Sequence, residues 1–242
     1  MSFRARLIAT AALATSAFLL VPAAAQAAPD TQAATHPVQI TGAELKTALL
    51  PASTFGSGFK AFGATNSGKS LWPTKAVKHP SAMSCINFEN AGAVRYGETA
   101  VAVAVAENNS AITGTNLDSL NLLYDQSVYQ FASTKAAAAF YNQAHAKYAS
   151  CKSFIDKASG DPNGASTITL KSIAKTKVGT DQAFQLTQID HEPGLGGISL
   201  KLNTLVTVKG ADVFIFVNGG TANRPVPAKT MLKLISRVAA LR

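Results

Sequence analysis

Apolar and polar positions along the chain change their period several times, and each change marks an element. The clearest alternation spans residues 197–209. Ile198, Leu200, Leu202, Val206 and Val208 fall on one side, and Ser199, Lys201, Asn203 and Lys209 on the other, which predicts a half-buried strand. Gly210-Ala211-Asp212 is a tight turn, and residues 213–217 return as an apolar strand, so the two read as a hairpin. Residues 99–107 alternate Val101, Val103 and Val105 with Ala100, Ala102 and Ala104. One face is therefore bulky, and the other is small enough for a neighbour to approach closely. Residues 121–131 place Leu122, Tyr124 and Val128 on one face and Leu123, Tyr129 and Phe131 on the other, as a strand covered on both sides requires. Residues 167–175, with Ile168, Leu170 and Ala174 inward, and residues 182–190 complete a set of five to six strands.

The 3.6-residue period appears in three places. Thr41-Gly-Ala-Glu44 has the spacing of a capping box and opens a short helix that stops at Pro51. Ser133 is a good N-cap for a helix over residues 134–150, whose Ala137, Phe140, Tyr141, Ala144, Tyr148 and Cys151 share one face. A last helix begins near Pro227 and turns Met231, Leu232, Ile235 and Val238 inward. Between the first helix and the first strand, residues 52–80 are rich in Gly, Ser, Thr, Lys and Pro and read as a long loop or irregular hairpin. The expected fold is α+β: a largely antiparallel twisted sheet of five to six strands flanked by helices packed on one face, with one disulfide.

The N-terminus changes the picture of where this fold works. Arg4 and Arg6 precede an apolar run over residues 7–21, and Ala25-Gln26-Ala27-Ala28 supplies the small residues of a cleavage site. The run is about 15 residues, shorter than the roughly 20 that span a bilayer, so residues 1–28 read as a secretory signal peptide. Residues 29–39 read as a flexible mature N-terminus and 40–242 as a single domain. No cysteine near the cleavage point offers a lipid anchor, and no later apolar segment or sorting tail is evident. The expected location is secreted, extracellular or loosely associated with the cell envelope. The Ala-rich composition suggests a GC-rich bacterial genome.

The formal charge of +9 becomes +7 once Arg4 and Arg6 are removed. The lysines are scattered and not interleaved with aromatics, which argues against nucleic-acid binding. Cys85 and Cys151 are the only cysteines. In an exported chain they read as a structural disulfide rather than a catalytic thiol.

Motifs that would carry catalysis fail on context. Gly63-Ala-Thr-Asn-Ser-Gly68-Lys69-Ser70 matches the P-loop pattern, but Leu71-Trp72-Pro73 cannot continue the helix that phosphate binding needs. Ser172-Ile-Ala-Lys175 has the S-x-x-K spacing but lies in a strand and lacks its partner motifs. His36, His79, His145 and His191 are too scattered for a zinc set. Asp190-His191-Glu192 runs into Pro193-Gly194 and reads as a polar turn, and Asn108-Asn-Ser110 is a weak glycosylation sequon. Neither a catalytic residue nor a metal or cofactor is expected.

Residues 128–151 carry a resemblance. Phe131 ends an apolar strand, Ser133 follows, Ala136 to Ala139 begin an Ala-rich helix, and Tyr148 stands three residues before Cys151. Together with Met83-Ser-Cys85 and the helix opened by Thr41, the pattern resembles the PknH-like extracellular domain, the sensor domain of a receptor-type Ser/Thr kinase that also occurs in secreted proteins. The resemblance covers about residue 40 to the C-terminus. It implies an antiparallel sheet with flanking helices, a Cys85–Cys151 bridge and a ligand-receiving cleft. The chain departs from the pattern in lacking a second disulfide, in Tyr148 where Trp is expected, and in lacking a kinase domain.

The resulting expectation is a non-catalytic, monomeric binding or sensor-type domain for an unidentified small molecule or envelope component of amphipathic or lipid-like character. Tyr124, Tyr129 and Phe184 are the candidate lining residues of a cleft on the sheet. Two rivals stay open. A Ser-His pair or clustered carboxylates in a pocket would indicate a secreted hydrolase acting on envelope material. A filled core with a flat basic face would indicate an envelope interaction protein.

Overall fold

The computed structural model describes residues 40–56, 59–61, 66–67, 85, 100–110, 121–156, 165–193, 197–221 and 225–242. The expected signal peptide and mature N-terminus, His36, His79 and most of the P-loop-like stretch lie outside them.

Thr41 caps the first helix as its sequence requires. Its Oγ1 accepts from the Glu44 backbone N–H at 3.2 Å, and the Glu44 carboxylate accepts from the Thr41 N–H at 2.7 Å. That second bond holds the Glu44 carboxyl below its ordinary pKa. Helix α1 is Gly42–Ala48, shorter than expected, and a single 3₁₀ turn, Ala52–Phe55, follows Pro51. Strands β1 (Phe59–Ala61), β2 (Asn66–Ser67), β3 (Ala100–Ser110) and β4 (Asn121–Phe131) precede helix α2 (Thr134–Ser150). Ser133 Oγ accepts from the Ala136 N–H at 3.1 Å and caps α2. Strands β5 (Ser153–Asp156), β6 (Ser166–Val178), β7 (Asp181–Glu192), β8 (Ile198–Lys209) and β9 (Asp212–Gly220) lead to helix α3 (Ala228–Ala239).

These strands form one antiparallel sheet in the order β1-β3-β4-β9-β8-β7-β6-β5, with β2 also paired to β3. The nine described strands exceed the expected five to six because β5 and the very short β1 and β2 leave no periodic signal. Two-residue turns join β6 to β7 and β8 to β9, and Gly179 and Gly210 there have φ of 62° and 59°, where a side chain would strain the backbone.

The helices cover both faces of the sheet, not one. Tyr129, Phe184, Leu186, Val206 and Val213 pack under Ala137, Phe140, Tyr141 and Ala144 of α2. Their strand neighbours Val128, Ala183, Leu205 and Phe214 pack instead with Leu45 of α1 and Met231, Leu234 and Val238 of α3. Adjacent residues thus go to opposite layers, as pleating dictates. The small face of β3 is where α1 approaches: Ala102 and Ala104 are buried with Leu45, Ala48 and Leu49, while Val101 is 40 % exposed.

Three inward or outward assignments change. Asn203 is buried rather than exposed, because β8 lies between β9 and β7 with helices over both faces. Ala174 is exposed, because the β6–β7 register shifts between Leu170 and Ser172 and the bulge inverts the alternation; Ile173 packs toward the core instead. Leu232 is 38 % exposed, and Leu234 takes the inward position on α3.

Buried polar side chains then tie distant parts of the chain together. Gln130 accepts from the Ile40 N–H at 2.8 Å and donates to Asp212 Oδ1 at 3.4 Å, and Arg242 donates to Asp212 Oδ2 at 2.6 Å. Burial nevertheless raises the Asp212 pKa; Arg242 and Gln130 offset only part of that cost. The Cys85–Cys151 disulfide, with Cα atoms 5.7 Å apart, pins the C-terminal end of α2 across a sequence separation of 66.

Candidate functional site

The three aromatic residues expected to line one cleft do not meet. Phe184 is fully buried beneath α2, with Tyr141, His145 and Tyr148 around its ring at 5.3, 5.2 and 6.2 Å. Tyr129 packs near it against Phe140 at 6.2 Å, and both serve as core. Tyr124 lies on the opposite face, stacked on Phe55 at 4.7 Å and met by Phe59 at 5.4 Å. His145, packed edge-on to Phe184, has its pKa lowered by desolvation and then by Lys175, both of which disfavour the charged imidazolium.

Tyr124 begins a polar row that no periodicity announces. Tyr124, Asn218, Asn203 and Thr187 are successive cross-strand partners on β4, β9, β8 and β7. Asn218 Nδ2 donates to Tyr124 Oη at 3.2 Å, and Thr187 Oγ1 donates to Asn203 Oδ1 at 2.8 Å. Asn203, only 2 % exposed, keeps a buried Nδ2 with no acceptor among the described residues. Such an unmade bond costs about 1–3 kcal/mol.

A groove opens elsewhere, where α1 ends and α3 passes it. It is a shallow groove of about 540 Å³, largely open to solvent. Leu50, Pro51 and Thr54 form one wall, and Lys229, Leu232, Lys233, Ser236 and Arg237 of α3 form the other. Local chemistry builds both. Pro51 ends the α1 segment, and Gln126 holds Leu50 by accepting from its N–H at 2.8 Å and donating to its carbonyl at 2.7 Å. Arg237 donates through Nε to the Ala48 carbonyl and through Nη2 to the Thr47 carbonyl, each at 2.7 Å, which closes the open end of α1. Among the described residues the lining holds three cationic side chains and no carboxylate. Sequence reading missed this groove. Its available signal was the spacing of Lys229, Lys233 and Arg237 on one face of a helix that contains no acidic residue.

Among the described residues no group of three or more His, Cys, Asp or Glu side chains is placed to hold a metal. Ser172 and Lys175 lie on β6, where no helix presents them. Asp190, His191 and Glu192 are the last residues of β7 rather than a turn, because they continue the pairing with β8, and His191 Nδ1 lies 3.2 Å from Ser199 Oγ across that pair. Among the described residues no helix is long and apolar enough to cross a membrane.

A disulfide-braced antiparallel sheet, layered with helices on both faces and grooved between two of them, defines an α+β domain. Comparison makes the class specific: the model of the PknH-like extracellular domain matches residues 40–211, and the chain belongs to that family. Among solved structures it is similar to the extracellular domain of PknH from Mycobacterium tuberculosis, with 15 % identity and a TM-score of 0.51 over 84 % of this chain and 96 % of that one. At that identity the likeness establishes a shared fold. A comparison with curated proteins finds no match. Helix α3 lies beyond the stretch that the family model matches.

Proposed function

We propose that this chain is a non-catalytic, sensor-type binding domain, exported from the cytoplasm, whose ligand is a small amphipathic molecule of the cell envelope. Membership of a family of extracellular domains supports the class. The observation that carries binding is the groove between α1 and α3, where Leu50, Pro51 and Leu232 provide apolar surface beside cationic side chains. A concave site that pairs apolar walls with a few placed polar groups is the usual form of a small-molecule site. Export of residues 29–242 after cleavage of 1–28 puts that groove in contact with envelope material. The test is native mass spectrometry of mature protein purified from its own culture medium. A discrete co-purifying mass is expected; protein that remains unliganded after exposure to both wall and lipid extracts would sink the binding reading.

A further inference from the structure

We infer that the ligand of the α1–α3 groove is an anionic amphiphile, bound as a single molecule with its acidic head between Lys229 and Lys233 and its chain on Leu50, Pro51 and Leu232. This inference rests on the binding reading above and names the chemistry of that site.

Charge is the first ground. Lys229, Lys233 and Arg237 recur every four residues along α3, so they form one stripe about 6 Å apart in axial rise. Like charges at that spacing destabilise a helix, and α3 carries no acidic residue that would offset them. The three cations play different roles. Arg237 is engaged with the Thr47 and Ala48 carbonyls at the end of α1. Lys229 and Lys233 are exposed and make no ion pair with a described carboxylate, which leaves two ammonium groups able to converge on one phosphate or carboxylate.

Shape and apolar surface are the second ground. Leu232 flanks Lys229 on the exposed side of α3, beside the β6–β7 turn at Gly179, and lines the groove with Leu50 and Pro51. An inorganic anion would leave that surface wet, whereas an acyl chain covers it. A flat anionic bilayer fits less well. Two lysines without a described ion-pair partner give a polybasic attraction too weak for stable docking on a bilayer.

The test uses full-length mature protein titrated by calorimetry with dodecyl phosphate, sodium laurate, dodecyl maltoside and inorganic phosphate, each below its micelle concentration. Dodecyl phosphate, laurate or both are expected to bind one-to-one and at least about tenfold more tightly than dodecyl maltoside, and inorganic phosphate only marginally. Comparison of the first two identifies the head as phosphate or carboxylate. The exposed double variant Lys229→Glu/Lys233→Glu should lose at least about tenfold in affinity for the anionic amphiphile with no fall in the thermal midpoint. Leu232→Ser should weaken both amphiphile classes. Equal binding of dodecyl maltoside, or charge reversal without effect, overturns the anionic inference while leaving a binding domain in place. Inorganic phosphate binding as tightly as dodecyl phosphate reduces the site to a simple anion site and overturns the amphiphile. Capture on phosphatidylglycerol vesicles without one-to-one binding overturns the single-molecule ligand. Absence of binding to every amphiphile, with no co-purifying mass, overturns the inference together with the reading it rests on.

Discussion

Gln126 sits in the middle of β4, 0 % exposed, and is the partner of both backbone groups of Leu50. Leu50 lies between α1 and the 3₁₀ turn, outside both elements, and it walls the groove. Gln126→Met keeps the length of the side chain but removes its donor and its acceptor. Two buried backbone groups then lose their partners at about 1–3 kcal/mol each, so the expected loss is about 2–6 kcal/mol. A domain of this size shifts by roughly 2–4 °C per kcal/mol, which predicts a thermal midpoint lower by roughly 4–24 °C. Urea unfolding followed by circular dichroism measures the loss directly, with an unchanged m-value showing that the same surface is exposed. Gln126→Glu separates hydrogen bonding from packing. Its carboxylate still accepts from the Leu50 N–H but confronts the Leu50 carbonyl, whereas the protonated acid supplies a donor. Burial and that carbonyl raise the folded-state pKa of the new acid, so its stability is full below the unfolded value of about 4.3 and is lost as pH rises through the folded one. A loss below about 1 kcal/mol for Gln126→Met at constant m-value would refute the claim that this side chain holds Leu50 in place.

Further expectations follow from other ties. Cys85→Ser/Cys151→Ser should lower stability by about 4 kcal/mol on the chain-entropy account of a separation of 66, read from urea midpoints; a loss under about 1 kcal/mol would show that the bridge constrains little. The Asp212 pKa is raised above its ordinary 3.8, chiefly by burial, so its contribution is full below about pH 3.8 and is lost as pH rises through the folded value. Unfolding curves from pH 3 to 7 should show that decline in the parent and not in Asp212→Asn; parallel profiles would contradict it. Arg237→Ala removes two hydrogen bonds to the end of α1 and should cost about 1–2 kcal/mol, with faster hydrogen exchange confined to α1 and the 3₁₀ turn. Exchange that rises throughout the sheet instead would assign Arg237 a global role.

Much of the fold was legible because the elements obey local rules. The Thr41–Glu44 box, the Ser133 cap and the apolar face of α2 depend on residues three or four apart, and each appears where the spacing put it. Six of the nine described strands were readable in outline, while β1, β2 and β5 are too short to show a period. The bulge in β6 defeated the alternation there, since one extra residue after Leu170 sends Ala174 outward. The candidate site was hardly legible. Tyr124, Tyr129 and Phe184 looked like lining residues because aromatic side chains suit cores and clefts alike, and two of the three are core. Lys229 and Lys233 looked like an ordinary helix surface, and Leu232 like a core residue, until Leu50 and Pro51 were placed opposite them.

The order and type of the main elements, the pairing of two lone cysteines and the family itself were determined by the amino-acid sequence, because each rests on neighbours along the chain or on a pattern spanning it. Tertiary structure alone decided which strands lie side by side, and so that β8 is central, Asn203 buried and both faces of the sheet covered. It also decided that residues 50–54 meet residues 229–237. Periodicity reports which side of its own element a residue occupies. What stands on that side depends on long-range strand pairing and helix docking, and in this protein those interactions create the groove.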